Sequence, residues 1–346
     1  MYDVSVFIGR FQPFHKGHLH NILVALKHSE KVIINVGSSF NAPNVKNPFS
    51  YKQRKQMILE DLEIAGVNLS RVEIEPLADY FYQEQKWEDA LRANVRKHIN
   101  KNETVAIAGH VKDSSSYYIK SFPEWGYIPV TNYKNYNATD FRKKFYKGEI
   151  IAEYMCNDNL SKGTYAFLKK FIFTQQYQDL VAENNYVIEY KKSWSSAPYK
   201  PNLVTVDALV IVNDQILLVQ RKGLPGKNLW ALPGGFLEHD ETISQAIVRE
   251  LHEETSLDLT REQLALAKIT EMVFDYPDRS VRGRTISHTG LFVFDKWEKL
   301  PNIRAADDAN DTKWVPISSI MEDMYDRMLE DHYQIITILL EICEKL

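Results

Sequence analysis

Residues 9–18 read Gly9-Arg10-Phe11-Gln12-Pro13-Phe14-His15-Lys16-Gly17-His18, and this stretch decides how the first half of the chain is organised. Before it, residues 4–8 form an apolar run expected to be a buried strand. After it, residues 19–26 carry the apolar spacing of a helix. A strand, a glycine-containing turn and a helix N-terminus make an anion site. The turn lets main chain approach a phosphate, and the free N–H groups at the helix start point at it. His15 and His18 lie three residues apart and flank Gly17, so both imidazoles can sit over that phosphate with no side chain between them. Arg10 adds a fixed positive charge on a planar donor fork. The chain has no GxGxxG or GxxxxGK[ST] element, so this is neither a dinucleotide fingerprint nor a P-loop.

Working outward, strands and helices alternate. Residues 31–36, 71–77, 104–108 and 127–130 are expected strands, and residues 51–65 and 87–99 expected helices. That alternation predicts an α/β fold with a parallel sheet wound in the Rossmann sense and ligands at the carboxyl ends of the strands. Gly9, Gly37 and Gly109 fall at those ends.

The chain has 346 residues, 44% hydrophobic and 25% charged, enough for two domains with a core each. A net charge of −4 and the lack of a basic run argue against nonspecific nucleic-acid binding. The two cysteines, Cys156 and Cys343, form no CxxC pair, which suits a reducing compartment without a zinc or disulfide framework. No apolar run reaches membrane-spanning length, and Met1-Tyr2-Asp3 does not open like a signal peptide. A soluble, cytoplasmic protein with no membrane partner is expected. Whether it forms a homo-oligomer stays open.

The His-x-Gly-His element after the first strand resembles the nucleotidyltransferase superfamily, and the whole string is similar to the archaeal-type nicotinamide-mononucleotide (NMN) adenylyltransferases within it. The resemblance implies that Gly9, Arg10, Phe11, His15 and His18 belong to the nucleotide site. It also places Asn47-Pro48-Phe49 close to the mononucleotide, whereas on physical grounds this is a turn before a helix capped by Ser50. Trp87 would stack on the nicotinamide ring, as an aromatic face suits a flat cation, with Asn94 as its neighbour; the alternative is an amphipathic core Trp. The loop Gly109-His110-Val111-Lys112-Asp113 would lie over the nucleotide, with Lys112 meeting phosphate and Asp113 either binding or capping a helix. The family's Ile-Ser-x-Thr-x-x-Arg element appears here with Tyr136-Asn137 in place of Ile-Ser. Thr139 and Arg142 are kept, on one face at the positive end of a helix.

The implied reaction needs no Ser, Cys or Lys nucleophile, because the mononucleotide's phosphate is already an anion. The protein must hold two anions together and stabilise charge on the α-phosphoryl group and the leaving pyrophosphate. His15, His18, Arg10 and Arg142 would supply that, with Mg²⁺ on the phosphates of the substrate ATP.

Residues 1–183 form the expected first domain. A Ser- and Pro-rich stretch, residues 184–203, reads as a linker or extended lead-in, and residues 204–346 form the second domain. There, residues 208–212 and 215–220 flank Asn213-Asp214 as a hairpin. Gly235 is followed by Glu241 after five residues and, after seven more, by Arg249-Glu250-Leu251-His252-Glu253-Glu254. On a helix Glu250 faces Glu253 and Glu254 at i+3 and i+4. Three carboxylates on one face suit a hard divalent cation, Mg²⁺ or Mn²⁺.

This spacing resembles the Nudix box, G-x5-E-x7-R-E-U-x-E-E-x-G-U, with Ser256 replacing the glycine that normally ends the helix at positive φ. The resemblance implies an α/β/α sandwich and metal-assisted attack of water on a nucleoside diphosphate linked to another moiety. Glu250, Glu254 and then Glu253 would hold the metal, with Gly235 beside them, while Arg249 and Glu241 would orient the helix. Asp278-Arg279-Ser280-Val281-Arg282-Gly283-Arg284 reads as a solvated basic loop or as a site for a phosphate-rich ligand. The stretch is similar to the arginine-rich segment of Nudix domains fused to NMN adenylyltransferases, which act on ADP-ribose. Asp331-His332 is a cap or a site element.

Both halves thus resemble the bifunctional NMN adenylyltransferase/Nudix hydrolases. The first would make NAD from ATP and the mononucleotide; the second would cleave ADP-ribose to AMP and ribose 5-phosphate. A first half acting on another phosphate ester, and a second half that senses ADP-ribose or NAD without hydrolysis or cleaves another nucleoside diphosphate derivative, are the rivals.

Overall fold

The computed structural model describes residues 1–110, 120–130, 138–149, 160–295 and 297–345. The chain divides into two compact units, Met1–Ala182 and Glu183–Leu346.

In the first unit β1 (Tyr2–Gly9), β2 (Ser29–Val36), β3 (Val72–Pro76), β4 (Val105–Gly109) and β5 (Gly126–Pro129) pair in the order β3-β2-β1-β4-β5, all parallel. The order reverses beside β1, and the crevice at such a switch point is where open α/β sheets bind ligands. Strand alternation sends side chains to both faces. Val4, Val6 and Ile33 pack with Leu91 and Val95 of α3 (Glu84–Arg96). Phe7 and Ile34 pack instead with Ile22 of α1 (Lys16–His28) and Met57 of α2 (Tyr51–Ile64). Helices on both faces explain why these strands are near-continuous apolar runs. A capping box between Ser50 and Gln53 starts α2, satisfying two otherwise unpaired donors. The chain continues through α4 (Ala138–Tyr146) and α5 (Lys162–Phe171) to α6 (Gln175–Ser193), within which the first unit ends. Residues 184–193, expected as linker, are therefore helical. Only residues 194–202 lie between α6 and β6 (Leu203–Val212).

In the second unit β6, β7 (Gln215–Arg221), β10 (Lys268–Phe274), β11 (Thr285–Phe294) and β12 (Ala309–Pro316) run in the order β10-β11-β6-β7-β12. The short β8 (Trp230–Ala231) and β9 (Gly234–Phe236) add to β7 and β6. The sheet is mixed: β6 and β11 are parallel and the other pairs antiparallel. Asn213 and Asp214 both take positive φ, 47° and 61°, the twist a two-residue hairpin requires. After a Thr242–Gln245 capping box, α7 (Ile243–Thr255) buries Ala246, Ile247 and Leu251 against Val206, Ala208 and Phe292. Helix α8 (Arg261–Ala267), α9 (Ile317–Asp323) and α10 (His332–Cys343) complete the unit.

Candidate functional site

At the switch point of the first unit, His15 is the N-cap of α1: its Nδ1 accepts the His18 N–H at 3.4 Å. The neutral ring therefore carries its proton on Nε2. The two imidazoles stack at 3.6 Å and 21°. The Phe11 ring meets His18 edge-on at 4.8 Å, and His18 Nδ1 is buried without a hydrogen-bond partner. Burial penalises the charged form. It pushes His15 down to about 4 and His18 well below its ordinary value, with His15 adding to the fall of His18. Both rings are neutral at pH 7, so fixed charge comes from exposed Arg10 and from Arg142. The Arg142 guanidinium donates to the Gln12 carbonyl at 2.9 Å and to Thr139 Oγ1 at 3.2 Å.

Gln12, overlooked as a site residue at the level of sequence, ties the anion loop to the Asn47-Pro48-Phe49 turn. Its amide donates to the Phe49 carbonyl at 3.0 Å and accepts the Phe49 N–H at 2.9 Å. Asn47 sits at this turn with its Oδ1 buried and unpartnered. Three expectations change on structural grounds. Phe11, expected to meet substrate, is 1% exposed and serves the core. A Cβ on Gly9 would lie 2.7 Å from its ring, which is why glycine stands there. Asn94 is consumed by the fold: its amide donates to Asn35 Oδ1 at 3.0 Å and the Pro76 carbonyl at 2.8 Å, and its Oδ1 accepts from Lys97. Trp87 is half-buried and tilts against Phe122 with ring centroids 6.2 Å apart. Lys112, Asp113, Tyr136, Asn137 and Cys156 lie outside the described residues.

In the second unit a cavity of about 330 Å³ opens over β6, β7, β9 and α7, lined among others by Asp207, Arg221, Glu250, Glu254, Arg282 and His332. Glu250 lies against Gly235, where any Cβ would collide with its carboxylate, and Glu254 Oε2 accepts the Gly234 N–H at 2.9 Å. Arg249 gathers Glu241 at 2.6 Å, Glu250 at 2.9 Å and Glu253 at 2.8 Å. Burial pushes the Glu254 carboxyl up to about 8, with Glu250 and Asp207 adding to the effect and the Gly234 N–H and Arg221 opposing it. Glu250 is also raised, first by burial and then by Glu253 and Asp307, against the pull of Arg249.

Among the described residues no three His, Cys, Asp or Glu side chains converge into a ready-made cation site. The donor set nevertheless fits a hard divalent ion. Glu250 and Glu254 bring oxygen ligands whose charged forms burial disfavours, in a cradle that only glycine leaves open, and a bound cation would offset that penalty.

The three arginines of residues 279–284 part company. Arg279, expected to bind substrate, is among the residues lining the cavity, and it is buried there and paired with Asp331 through two bonds of 2.9 and 2.8 Å, their side chains 3% and 0% exposed. Arg284 turns to the carbonyl and carboxylate of Asp275 and does not line the cavity. Arg282 does line it, its guanidinium 5.2 Å over the Phe236 ring and its Nε buried without a partner. Asp331 precedes α10 but makes no side-chain cap. His332 Nδ1 accepts the Leu232 N–H at 3.0 Å, and its Nε2 faces Asp207 Oδ1 at 3.9 Å. Asp207, whose other oxygen accepts from Ser287, was missed; its one signal was a carboxylate inside an otherwise apolar strand.

Known proteins resemble each unit and the whole. A cytidylyltransferase-like family model matches residues 6–201, and a NUDIX domain model residues 201–337. A nicotinamide/nicotinic acid mononucleotide adenylyltransferase of Acinetobacter baylyi is 38% identical over 180 residues, 52% of this chain and 92% of that protein. An ADP-ribose pyrophosphatase of Methanocaldococcus jannaschii is 33% identical over 133 residues, 37% of this chain and 72% of that protein. The crystal structure of a bifunctional NMN adenylyltransferase/ADP-ribose pyrophosphatase from Francisella tularensis, complexed with AMP and a manganese ion, is 69% identical. That match covers 99% of this chain and 100% of the other, with a TM-score of 0.94. The chain thus belongs to the cytidylyltransferase-like family through its first unit and carries a NUDIX domain in its second, the combination of the bifunctional NMN adenylyltransferase/ADP-ribose pyrophosphatases.

Proposed function

We propose that the chain catalyses two reactions of NAD metabolism: adenylyl transfer from ATP to nicotinamide mononucleotide, giving NAD and pyrophosphate, and hydrolysis of ADP-ribose to AMP and ribose 5-phosphate. The observation that carries this reading is the presence in one chain of an anion site at a switch point and an acidic cavity on a Nudix helix. In the first reaction a phosphate oxygen of the mononucleotide attacks the α-phosphorus of ATP, and the bond to the bridging oxygen breaks as pyrophosphate leaves. His15 and His18 act as neutral N–H donors to the phosphates. Arg10 and Arg142 supply the fixed charge that lets two anions approach. Gly9 leaves the room in which Phe11 backs His18, and Thr139 orients Arg142. Trp87 and Asn47 serve the mononucleotide.

In the second reaction water attacks the diphosphate of ADP-ribose. Glu250, Glu253 and Glu254 would hold a divalent ion, Mg²⁺ in our reading with Mn²⁺ as substitute, and when bound it activates water and neutralises phosphate charge. Arg249 orients these carboxylates. Arg282 faces the phosphates, with Arg279 held in place behind it by Asp331.

The substrates are small molecules, and a cytoplasmic setting, where ATP is at hand, is part of the proposal. Among the described residues no helix is long and apolar enough to cross a membrane. The test supplies purified protein with ATP, Mg²⁺ and nicotinamide mononucleotide in one reaction and ADP-ribose with Mg²⁺ in another. NAD in the first and AMP in the second are expected. NAD without AMP would make the second unit a sensor or a hydrolase of another substrate, and absence of NAD would overturn the first assignment.

A further inference from the structure

We infer that Arg54 is a positioning residue for adenylyl transfer, bracing the two loops that build the anion site; the inference rests on the adenylyl-transfer reading above. Arg54 lies in the first turn of α2 and is 1% exposed. Its guanidinium is spent on four main-chain carbonyls. Nε donates to Ser50 at 3.3 Å, Nη1 to Arg10 at 2.8 Å and Gly37 at 2.6 Å, and Nη2 to Ser38 at 3.0 Å. Arg10 follows β1, and Gly37 and Ser38 follow β2, so one side chain joins the ends of two adjacent strands at the switch point. Only a planar fork reaches carbonyls in that spread; an ammonium is a single point of charge.

The braced turns are strained. Phe11, next to Arg10, and Ser38 itself hold positive φ of 51° and 50°, where a Cβ crowds the following carbonyl oxygen. Such conformations persist where the surroundings over-determine them. Here Arg54 takes the Ser38 carbonyl, while Asp79 accepts from the Ser38 side chain and, at 3.0 Å, from Asn41. The Phe11 turn in turn sets where Arg10 points and where the Phe11 ring backs His18. Arg54 stays cationic: burial lowers it to about 10, with Asp79 opposing that fall and Arg10 adding to it. It therefore also keeps a permanent positive charge beneath the loop.

The experiment compares the full chain with its R54K and R54Q variants in NAD synthesis and in ADP-ribose hydrolysis. Wild-type NAD synthesis comes first, since its absence would sink the adenylyl-transfer reading rather than the role of Arg54. Both variants are expected to raise the KM for ATP as well as lower kcat, together reducing kcat/KM by about 10²-fold, the scale of a misplaced binding group. ADP-ribose hydrolysis by the same molecules should stay at the wild-type level. A lowered kcat with an unchanged KM would mean a smaller folded fraction, a support role only, and would overturn the inference. So would wild-type constants in R54K. Should neither variant melt cooperatively, D79N, which loosens Ser38 from the other side, decides: a raised KM for ATP upholds the brace and an unchanged one refutes it.

Discussion

The two sites solve opposite charge problems. In the first unit, two imidazoles held neutral by burial stand at the N-terminus of α1, with Arg10 and Arg142 beside them. Donors and cations are in place before any anion arrives. In the second unit, burial raises Glu250 and Glu254 on α7, neighbouring carboxylates add to the rise, and Arg249 and the Gly234 N–H oppose it. Acidic side chains there are crowded and partly buried, and a cation would relieve them. The contrast teaches that a phosphate site needs positive ends, which a helix start supplies by itself, whereas a phosphate approaching an acidic helix meets like charge that a cation would have to offset.

Replacing Glu254 with Gln should break the second site most severely. ADP-ribose hydrolysis should fall by about 10³-fold, equivalent to about 4 kcal/mol of lost transition-state stabilisation, and be read as AMP formed at saturating Mg²⁺. Hydrolysis at the wild-type rate would remove Glu254 from the metal set.

His18→Ala tests the first site. It removes one donor from a preorganised anion pocket, and NAD formation should drop by roughly 10²–10³-fold. An unchanged rate would reduce the stacked histidines to core packing.

The contrast sharpens in the titration of the imidazoles. His15 titrates at about 4 in the folded chain against an ordinary value of 6.5. Its folded-state value is depressed, so the stability it contributes is fully present above pH 6.5 and is lost as pH falls toward 4. A bound polyphosphate stabilises the charged rings and raises both values. ATP binding at pH 6 should then take up protons, measured by calorimetry in two buffers of different ionisation heat. Binding without uptake would show that Arg10 and Arg142 carry all the compensation.

The smallest effect concerns Ser256, the C-cap of α7, which adopts φ 45° and ψ 36°. Glycine takes this conformation without a Cβ penalty, so S256G should stabilise the second unit by about 1 kcal/mol in urea unfolding. No gain would mean that the unfolded chain's extra freedom offsets the relief.

Much of both sites was legible because it depends on local periodicity. A helix brings i, i+3 and i+4 onto one side whatever surrounds it, so the stacked His15 and His18 rings and the placing of Glu250 and Glu254 beside Gly235 and Gly234 follow from spacing, whereas Glu253 turns to Arg249 and no three carboxylates converge among the described residues. The alternation of strands and helices likewise announces a parallel sheet with helices on both faces. Ser256 departs from the Nudix pattern at the one position where backbone handedness matters, and it does adopt the left-handed conformation.

Tertiary structure alone decided which polar groups are spent on the fold. Arg279, Arg282 and Arg284 are indistinguishable within seven residues of sequence, yet the last closes on Asp275 away from the cavity, and of the two that line it Arg279 is held by Asp331 while the Arg282 Nε has no partner. Asn94 is drawn to Asn35 and Pro76, Phe11 into the core, and Arg54 to carbonyls from two other loops. The physical reason is shared. A side chain's partner across many residues of chain is set by how strands and helices pack, and a buried donor or charge must find that partner, whereas local spacing records only what one turn of helix or one strand brings together.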